Sequence, residues 1–184
     1  MLLDRRSNLA FDAREFRNAL GRFATGVAIV TSEVDGKRLG ATISSFNSVS
    51  IEPALVLFSL ACASPARAQW QRASAFVVSI LSEHQDALSN RFARSNGDKW
   101  AGIADRRAAN GCPLLPAWLA YFACEPYAVH DGGDHDIFVC RVTNFEIHRA
   151  DERPLIFYAG KYRGLRTEDA RLVPPDDNMW LHGW

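Results

Sequence analysis

Three short stretches of the sequence concentrate residue types that can do chemistry. The first is Gly40-Ala41-Thr42-Ile43-Ser44-Ser45-Phe46-Asn47-Ser48, rich in hydroxyls and set between two strongly apolar runs. Hydroxyls at this density either cap turns or face a polar ligand, and both readings stay open. The second is Ser64-Pro65-Ala66-Arg67, which reads as the start of a helix. The Ser64 hydroxyl, the free amides of Ala66 and Arg67 and the Arg67 charge would converge there on one phosphate; the plainer alternative is a capped helix. The third is His130-Asp131-Gly132-Gly133-Asp134-His135-Asp136, dense in imidazole and carboxylate. Its spacing matches neither an EF-hand nor a helical zinc pair, so no metal is expected. The readings left are a tight solvated hairpin and a single functional histidine at the start of a strand. No G-x-G-x-x-G, P-loop, H-E-x-x-H or G-x-S-x-G occurs, so a nicotinamide, if used, is not held by a Rossmann unit.

Composition bounds what these stretches can serve. Among 184 residues, 21 basic and 21 acidic side chains give a formal charge of 0. That balance speaks against nucleic acid as a partner and asks that any bound anion be small and locally recognised. With 48% hydrophobic and 23% charged residues the chain reads as an ordinary soluble protein, and its longest apolar stretch, 54–63, is too short to span a membrane. Cys62, Cys112, Cys124 and Cys140 form no C-x-x-C pair, and the N-terminus carries no signal-peptide core. Free thiols in a reducing cytoplasm follow as the expectation. The length predicts one domain over 1–184, with a core at about 12–165 and a tail at 166–184. Trp180 and Trp184 in that tail are expected to dock on the chain's own surface or on a partner subunit.

The elements that must position these residues follow from periodicity. Asp12 caps a helix over 13–23, with Glu15 three residues on, Phe11 stapling against Phe16, and Phe16, Leu20 and Phe23 on one face. The β-branched run 27–31, the Asp35-Gly36 turn and the return strand 38–44 make a hairpin. Strands follow at 46–50, 54–58 and 75–81, with a short helix from Ser64-Pro65 to about Arg72. Ser82 and Gln85 form a second capping box, opening a helix over 83–94. The stretch 97–116 reads as a long functional loop; 118–124, 135–147 and 155–158 complete the strands. Seven or more strands with only three helices predict a mainly β (α+β) fold, a barrel or sandwich with peripheral helices.

Taken in order, these segments resemble the short-chain flavin reductases, the reductase components of two-component flavin-dependent monooxygenases. The likeness spans about 12–165 and rests on Phe23 to Thr31, Gly40 to Ser50 with Pro53 and Leu55-Val56-Leu57 after it, Gly133-Asp134-His135, Pro154 to Tyr158, and Lys161-Tyr162-Arg163. It implies an FMN-binding split β-barrel, Greek-key-like, with about three peripheral helices. The implied activity is reduction of FMN or FAD by NADH or NADPH, in a homodimer that supplies a partner oxygenase. A flavin carrier that turns over no nicotinamide is the alternative on the same fold; an oxidase of the pyridoxamine-phosphate type would require a second phosphate site, and this sequence has no extra basic cluster that demands one. By resemblance, Ala41, Thr42, Ile43 and Ser44 lie along the isoalloxazine, continued by Ser45 and Phe46. Ser59, Leu60, Ala61 and Cys62, with Ser64 and Arg67, hold the ribityl chain and phosphate. Phe92 and Trp100 give a second flavin contact with Lys99 as a further phosphate partner, His135 meets the nicotinamide, and Tyr162 and Arg163 close that side. Two departures stand out: Ala63-Ser64-Pro65-Ala66 lacks hydroxyls the family usually has, and Cys140 replaces a common glycine.

Overall fold

A computed structural model describes residues 12–148 and 151–165. Alternating apolar and polar side chains give the β-strands their two faces, and an antiparallel seven-stranded sheet carries most of the chain. Its order is β3 (Lys37–Ile43), β2 (Ala28–Val34), β6 (Phe76–Ile80), β9 (Ala120–Asp131), β10 (His135–Ile147), β5 (Leu55–Ala61) and β4 (Asn47–Ser50). The hairpins β2–β3, β4–β5 and β9–β10 lie side by side, while the chain from β3 to β4 and from β5 to β6 passes to strands that are not neighbours, as in a Greek key. The sheet curls until β3 and β5 meet, but no ladder joins them. The seam is bridged instead by Ser45, whose Oγ accepts from the Ser59 amide at 2.9 Å. A barrel split along one seam is the result, matching the fold expected from the sequence.

The Asp35-Gly36 turn forms as expected, with φ of 51° and 73° at its two residues, the backbone that a tight hairpin turn demands. The barrel interior holds Val30, Val78, Cys140 and an aromatic group in which Phe58 stacks on Phe138 at 5.2 Å and Phe76 meets both edge-on. Burial pushes the Cys140 thiol up to about 12, so the side chain that departs from the family glycine is an inert core residue, turned away from the seam. The stretch 97–116 is partly core as well. It contains the small hairpin β7 (Arg106–Arg107) with β8 (Pro113–Leu114), and its Ala108 and Cys112 pack on the outer face with Trp118 and Tyr121.

Helix boundaries move inward from the expected ones. α1 is Ala13–Leu20, ending on Gly21, with Asp12 Oδ1 accepting from the amides of Arg14 and Glu15. Phe23 therefore lies beyond the helix, and the Phe11 staple falls outside the described residues, as does the tail from 166 onward. α2 is Arg67–Arg72 and α3 is Asp86–Ala93. Gln85 Oε1 accepts from the Ser82 amide at 2.9 Å, so half of the expected capping box forms, ahead of the helix rather than within it. A third sheet joins β1 (Thr25–Gly26), β11 (Ile156–Tyr158) and β12 (Lys161–Arg163).

Candidate active site

A cavity of about 1060 Å³ opens along the barrel seam. One wall is β3, an edge strand paired only with β2. Its odd residues Leu39, Ala41 and Ile43 face the barrel core, leaving the even ones, Arg38, Gly40 and Thr42, toward α3 and the loop after it. Gly40 O accepts from Lys99 Nζ and so points away from β2. By the two-residue period the peptide groups of Arg38 and Thr42 point the same way, a row of donors and acceptors not used by the sheet. The opposite wall is the end of β5, Ser59 to Ala61, with the turn through Ser64 and the start of β10.

Several hydroxyls of the first stretch turn out to hold the walls together. Thr42 Oγ1 donates to Ser89 O at 2.6 Å, pinning α3 to β3. Lys99 Nζ adds two bonds of 3.0 Å, to Gly40 O and Phe92 O, and burial holds its ammonium below the ordinary lysine value. Phe92 sits directly over Gly40, edge-on to Trp100 at 5.1 Å. Only Ser44 of this group is exposed at the cavity with its hydroxyl unassigned to another residue.

The turn that was expected to cradle a phosphate is built differently. The Ala66 amide donates to Ser64 Oγ at 3.3 Å and the Arg67 amide to Ser64 O at 3.0 Å. The Arg67 guanidinium forks onto Asp136, Nε to Oδ2 at 2.7 Å and Nη2 to Oδ1 at 2.8 Å, with Gln71 adding a third contact at 3.1 Å. The Ala66 and Arg67 amides and two of the Arg67 guanidinium nitrogens thus already have acceptors, and Arg67 lies outside the cavity wall, whereas Ser64 lines it. The fork is structural: it fastens α2 to β10 beside His135. The Arg67 hydrogen bonds hold the Asp136 carboxyl below the usual carboxylate range. Its stabilisation is therefore present above the unfolded-state value and lost as pH falls through the depressed folded one. Asp136→Asn is expected to destabilise the protein by about 1–3 kcal/mol at neutral pH. The gap from wild type should close in strongly acidic buffer, as read by thermal unfolding across pH.

His135 stands at the first position of β10, opposite Ala61 in the register, and lines the cavity. Its Nδ1 is 2.7 Å from Asp134 Oδ1, which assigns the proton to Nδ1 and leaves Nε2 as the free ring atom. The hydrogen bond also holds the Asp134 carboxyl below its ordinary value. The stretch 130–136 is otherwise a hairpin turn, with Gly133 at φ 85° and its amide bonded to Asp131 Oδ1.

Of the residues singled out from the sequence, Ala41, Thr42, Ile43, Ser44, Ser45, Ser59, Leu60, Ala61, Ser64, Phe92, Lys99, Trp100 and His135 line this one cavity. Five do not. Phe46 packs on Phe122 at 5.4 Å, toward the core. Cys62 faces the 131–134 turn, with Sγ 3.9 Å from Gly133 O. Arg67 is held by Asp136. The Tyr162 hydroxyl is tied to Ser89 Oγ at 2.8 Å, bracing α3 from behind, and Arg163 is an exposed neighbour on the same strand. Sequence reasoning missed Arg38, Arg94 and Ile137 on the cavity wall. Arg38 was legible in principle, since it shares the face of Gly40 and Thr42 by the period of two.

Residues 20–166 match the family described as flavin reductase like domain. The chain belongs to that flavin reductase family. Among its relatives, the reductase subunit HsaB of a flavin-dependent monooxygenase from Rhodococcus jostii is 39% identical, over 92% of this chain and 87% of its own length. The FMN reductase (NADH) SmoA from Agrobacterium fabrum is 42% identical, over 82% of this chain and 85% of its own. Among solved structures, nitrilotriacetate monooxygenase component B from Mycobacterium thermoresistibile superposes with a TM-score of 0.86 at 35% identity, covering 93% of this chain and 95% of the other. For a flavin reductase of this family, a seam cavity flanked by an unpaired strand edge and a single cavity-lining histidine is the feature to interpret.

Proposed function

We infer that the protein is an NAD(P)H:flavin oxidoreductase that reduces FMN or FAD and supplies the reduced flavin to a separate monooxygenase. The observation that carries this reading is the seam cavity with its sheet edge. A flat heteroaromatic ring with alternating donors and acceptors matches the free peptide groups of β3 around Thr42, and small residues such as Ala41, Ser59 and Ala61 leave room for it. Bound flavin supplies the hydride-accepting centre; the chain's own work is to bind, orient and exclude. The Thr42 backbone fixes the ring's polar edge and favours negative charge there. His135, steadied by Asp134, is the residue proposed to position the nicotinamide, with Nε2 toward the cavity. The decisive measurement is oxidation of NADH and NADPH with and without FMN or FAD. Turnover that rises with added flavin is expected, whereas nicotinamide oxidation unmoved by either flavin overturns the reading.

The dimer expected from the resemblance draws support from apolar side chains on α1 and just beyond its end. Phe16, Leu20 and Phe23 are 51%, 59% and 78% exposed, more than a solitary protein leaves open in one place. We propose that a second copy covers them. Phe23→Glu is expected to shift the protein to a monomer in analytical ultracentrifugation at micromolar concentration, and an unchanged sedimentation coefficient would count against this face. No helix among the described residues is long and apolar enough to cross a membrane. The four free cysteines fit the reducing cytoplasm proposed from the sequence.

A further inference from the structure

Ser89 on α3 is 0% exposed and is bonded from two different elements. Its carbonyl accepts from Thr42 Oγ1 of β3 at 2.6 Å. Its hydroxyl meets Tyr162 Oη of β12 at 2.8 Å. The single Tyr162 proton goes to Asn90 Oδ1, an acceptor at 3.3 Å, so Ser89 is the donor to Tyr162. Buried as it is, the Ser89 hydroxyl has no water to turn to if that acceptor is removed. Thr42 lines the seam cavity and Tyr162 does not, so the chain of contacts runs from the cavity wall to a point outside it.

The two ends of this chain differ in how well they are supported. β3 is an edge strand, paired only with β2. Its outward-facing groups are held from beyond the sheet at two places, Gly40 by Lys99 and Thr42 by Ser89. Tyr162 belongs to a sheet that is tied down on several sides. The register Thr25, Phe157, Tyr162 runs straight across β1, β11 and β12, and the Tyr162 ring packs edge-on against Phe157 at 5.9 Å. The Val27 amide donates to Leu155 O and the Leu155 amide to Leu81 O, which fastens this sheet to the end of β6. The Ala159 amide donates to Gly21 O at the end of α1. A backbone donor aimed at developing charge is effective only when it is held in place beforehand. The sheet that carries Tyr162 is rigid enough to do the holding.

We propose that Tyr162 is a positioning residue for flavin reduction: through Ser89 it fixes the Thr42 end of β3, against which the polar edge of the ring gains negative charge. This rests on the reading that flavin occupies the seam cavity. It replaces the role implied by resemblance, closure of the nicotinamide side, with one exerted from outside the cavity.

Dissociation constants for oxidised FMN and for dithionite-reduced FMN, measured anaerobically, separate positioning from stability. In Tyr162→Phe the reduced form is expected to lose about fivefold or more in affinity relative to the oxidised form, and kcat with NADH to fall with it. Thr42→Val cuts the other link and should act in the same direction, with the double variant no worse than the more affected single one. Tyr162→Phe/Ser89→Ala leaves no orphaned hydroxyl, so it should regain the Tm of wild type but not its affinity ratio. A lowered Tm in Tyr162→Phe with an unchanged ratio of the two affinities overturns the proposal, because Tyr162 then only braces α3. Additive losses in the double variant Thr42→Val/Tyr162→Phe also overturn it. Ala61→Trp, which fills the cavity from an exposed position, tests the underlying reading separately. It should abolish FMN binding in a protein that still unfolds cooperatively. Retained binding there places the flavin elsewhere and overturns both readings, whereas lost binding with an unchanged ratio in Tyr162→Phe overturns the linkage alone.

Discussion

His135→Ala is expected to lower kcat/KM for NADH by about tenfold to a hundredfold while the flavin dissociation constant changes less than threefold. The split between the two readouts comes from position. His135 lines the cavity from β10, opposite Ala61, across from the β3 edge that is proposed to hold the ring. Removing the imidazole leaves both ladders of β10 intact, since its pairing with β5 and β9 is made by backbone. What goes is a polar group whose orientation is fixed by Asp134 at 2.7 Å. Asp134→Asn should give a smaller loss, because the imidazole remains but its tautomer is no longer imposed by a carboxylate. Its pH–rate profile should also move, an effect that a purely structural turn residue would not produce. Wild-type kcat/KM in His135→Ala would remove the histidine from the mechanism and leave the flavin site standing.

The second large effect is expected at Gly40, and here stability and binding fall together. A Cβ built at Gly40 would lie 2.3 Å from Cε1 and 2.5 Å from Cδ1 of Phe92. Phe92 is 1% exposed and packed edge-on against Trp100, so it can yield only by giving up that packing. Gly40→Ala should cost about 1–3 kcal/mol, the usual penalty of overpacking a tight core. At this chain length that lowers Tm by roughly 3–10 °C. Displacing Phe92 also loosens the Lys99 bridge between Gly40 O and Phe92 O, which sets the distance between β3 and the 93–100 loop. Flavin affinity is therefore expected to fall about tenfold even where the variant remains folded. Gly40→Ala combined with Phe92→Leu should recover most of the lost Tm, and a single variant as stable as wild type would show that the contact is not tight in solution.

Much of the fold was legible because its causes are local. Asp35-Gly36 can hardly avoid a tight turn, and the β-branched run before it becomes β2. Asp12 caps α1 through amides only two and three residues away. The site was harder to read for the opposite reason. Arg67 looked available for a phosphate because nothing near it in sequence engages it, yet its partner Asp136 is 69 residues on. Thr42 looked ready for a ligand and is instead bonded to Ser89, 47 residues away. Which hydroxyls and cations are consumed by the fold depends on contacts that only the curled sheet creates. Arg38 escaped notice for the converse reason. It carries no motif and gains significance only when Trp100 arrives beneath it from beyond α3. Small residues were more faithful guides: Gly40, Ala41, Ser59 and Ala61 do flank a space.

The unpaired edge of β3 has a further consequence, one that bears on handling rather than catalysis. A row of free backbone donors and acceptors at residues 38, 40 and 42 is a template for strand addition by another molecule. Only Gly40 O is blunted, by Lys99. Flavin bound as proposed along this edge would shield the remainder, and the nucleotide would then act as a solubility factor for its own enzyme. Stripped protein should form aggregates on storage sooner than protein kept with excess FMN or FAD, and Lys99→Met should shorten that interval further.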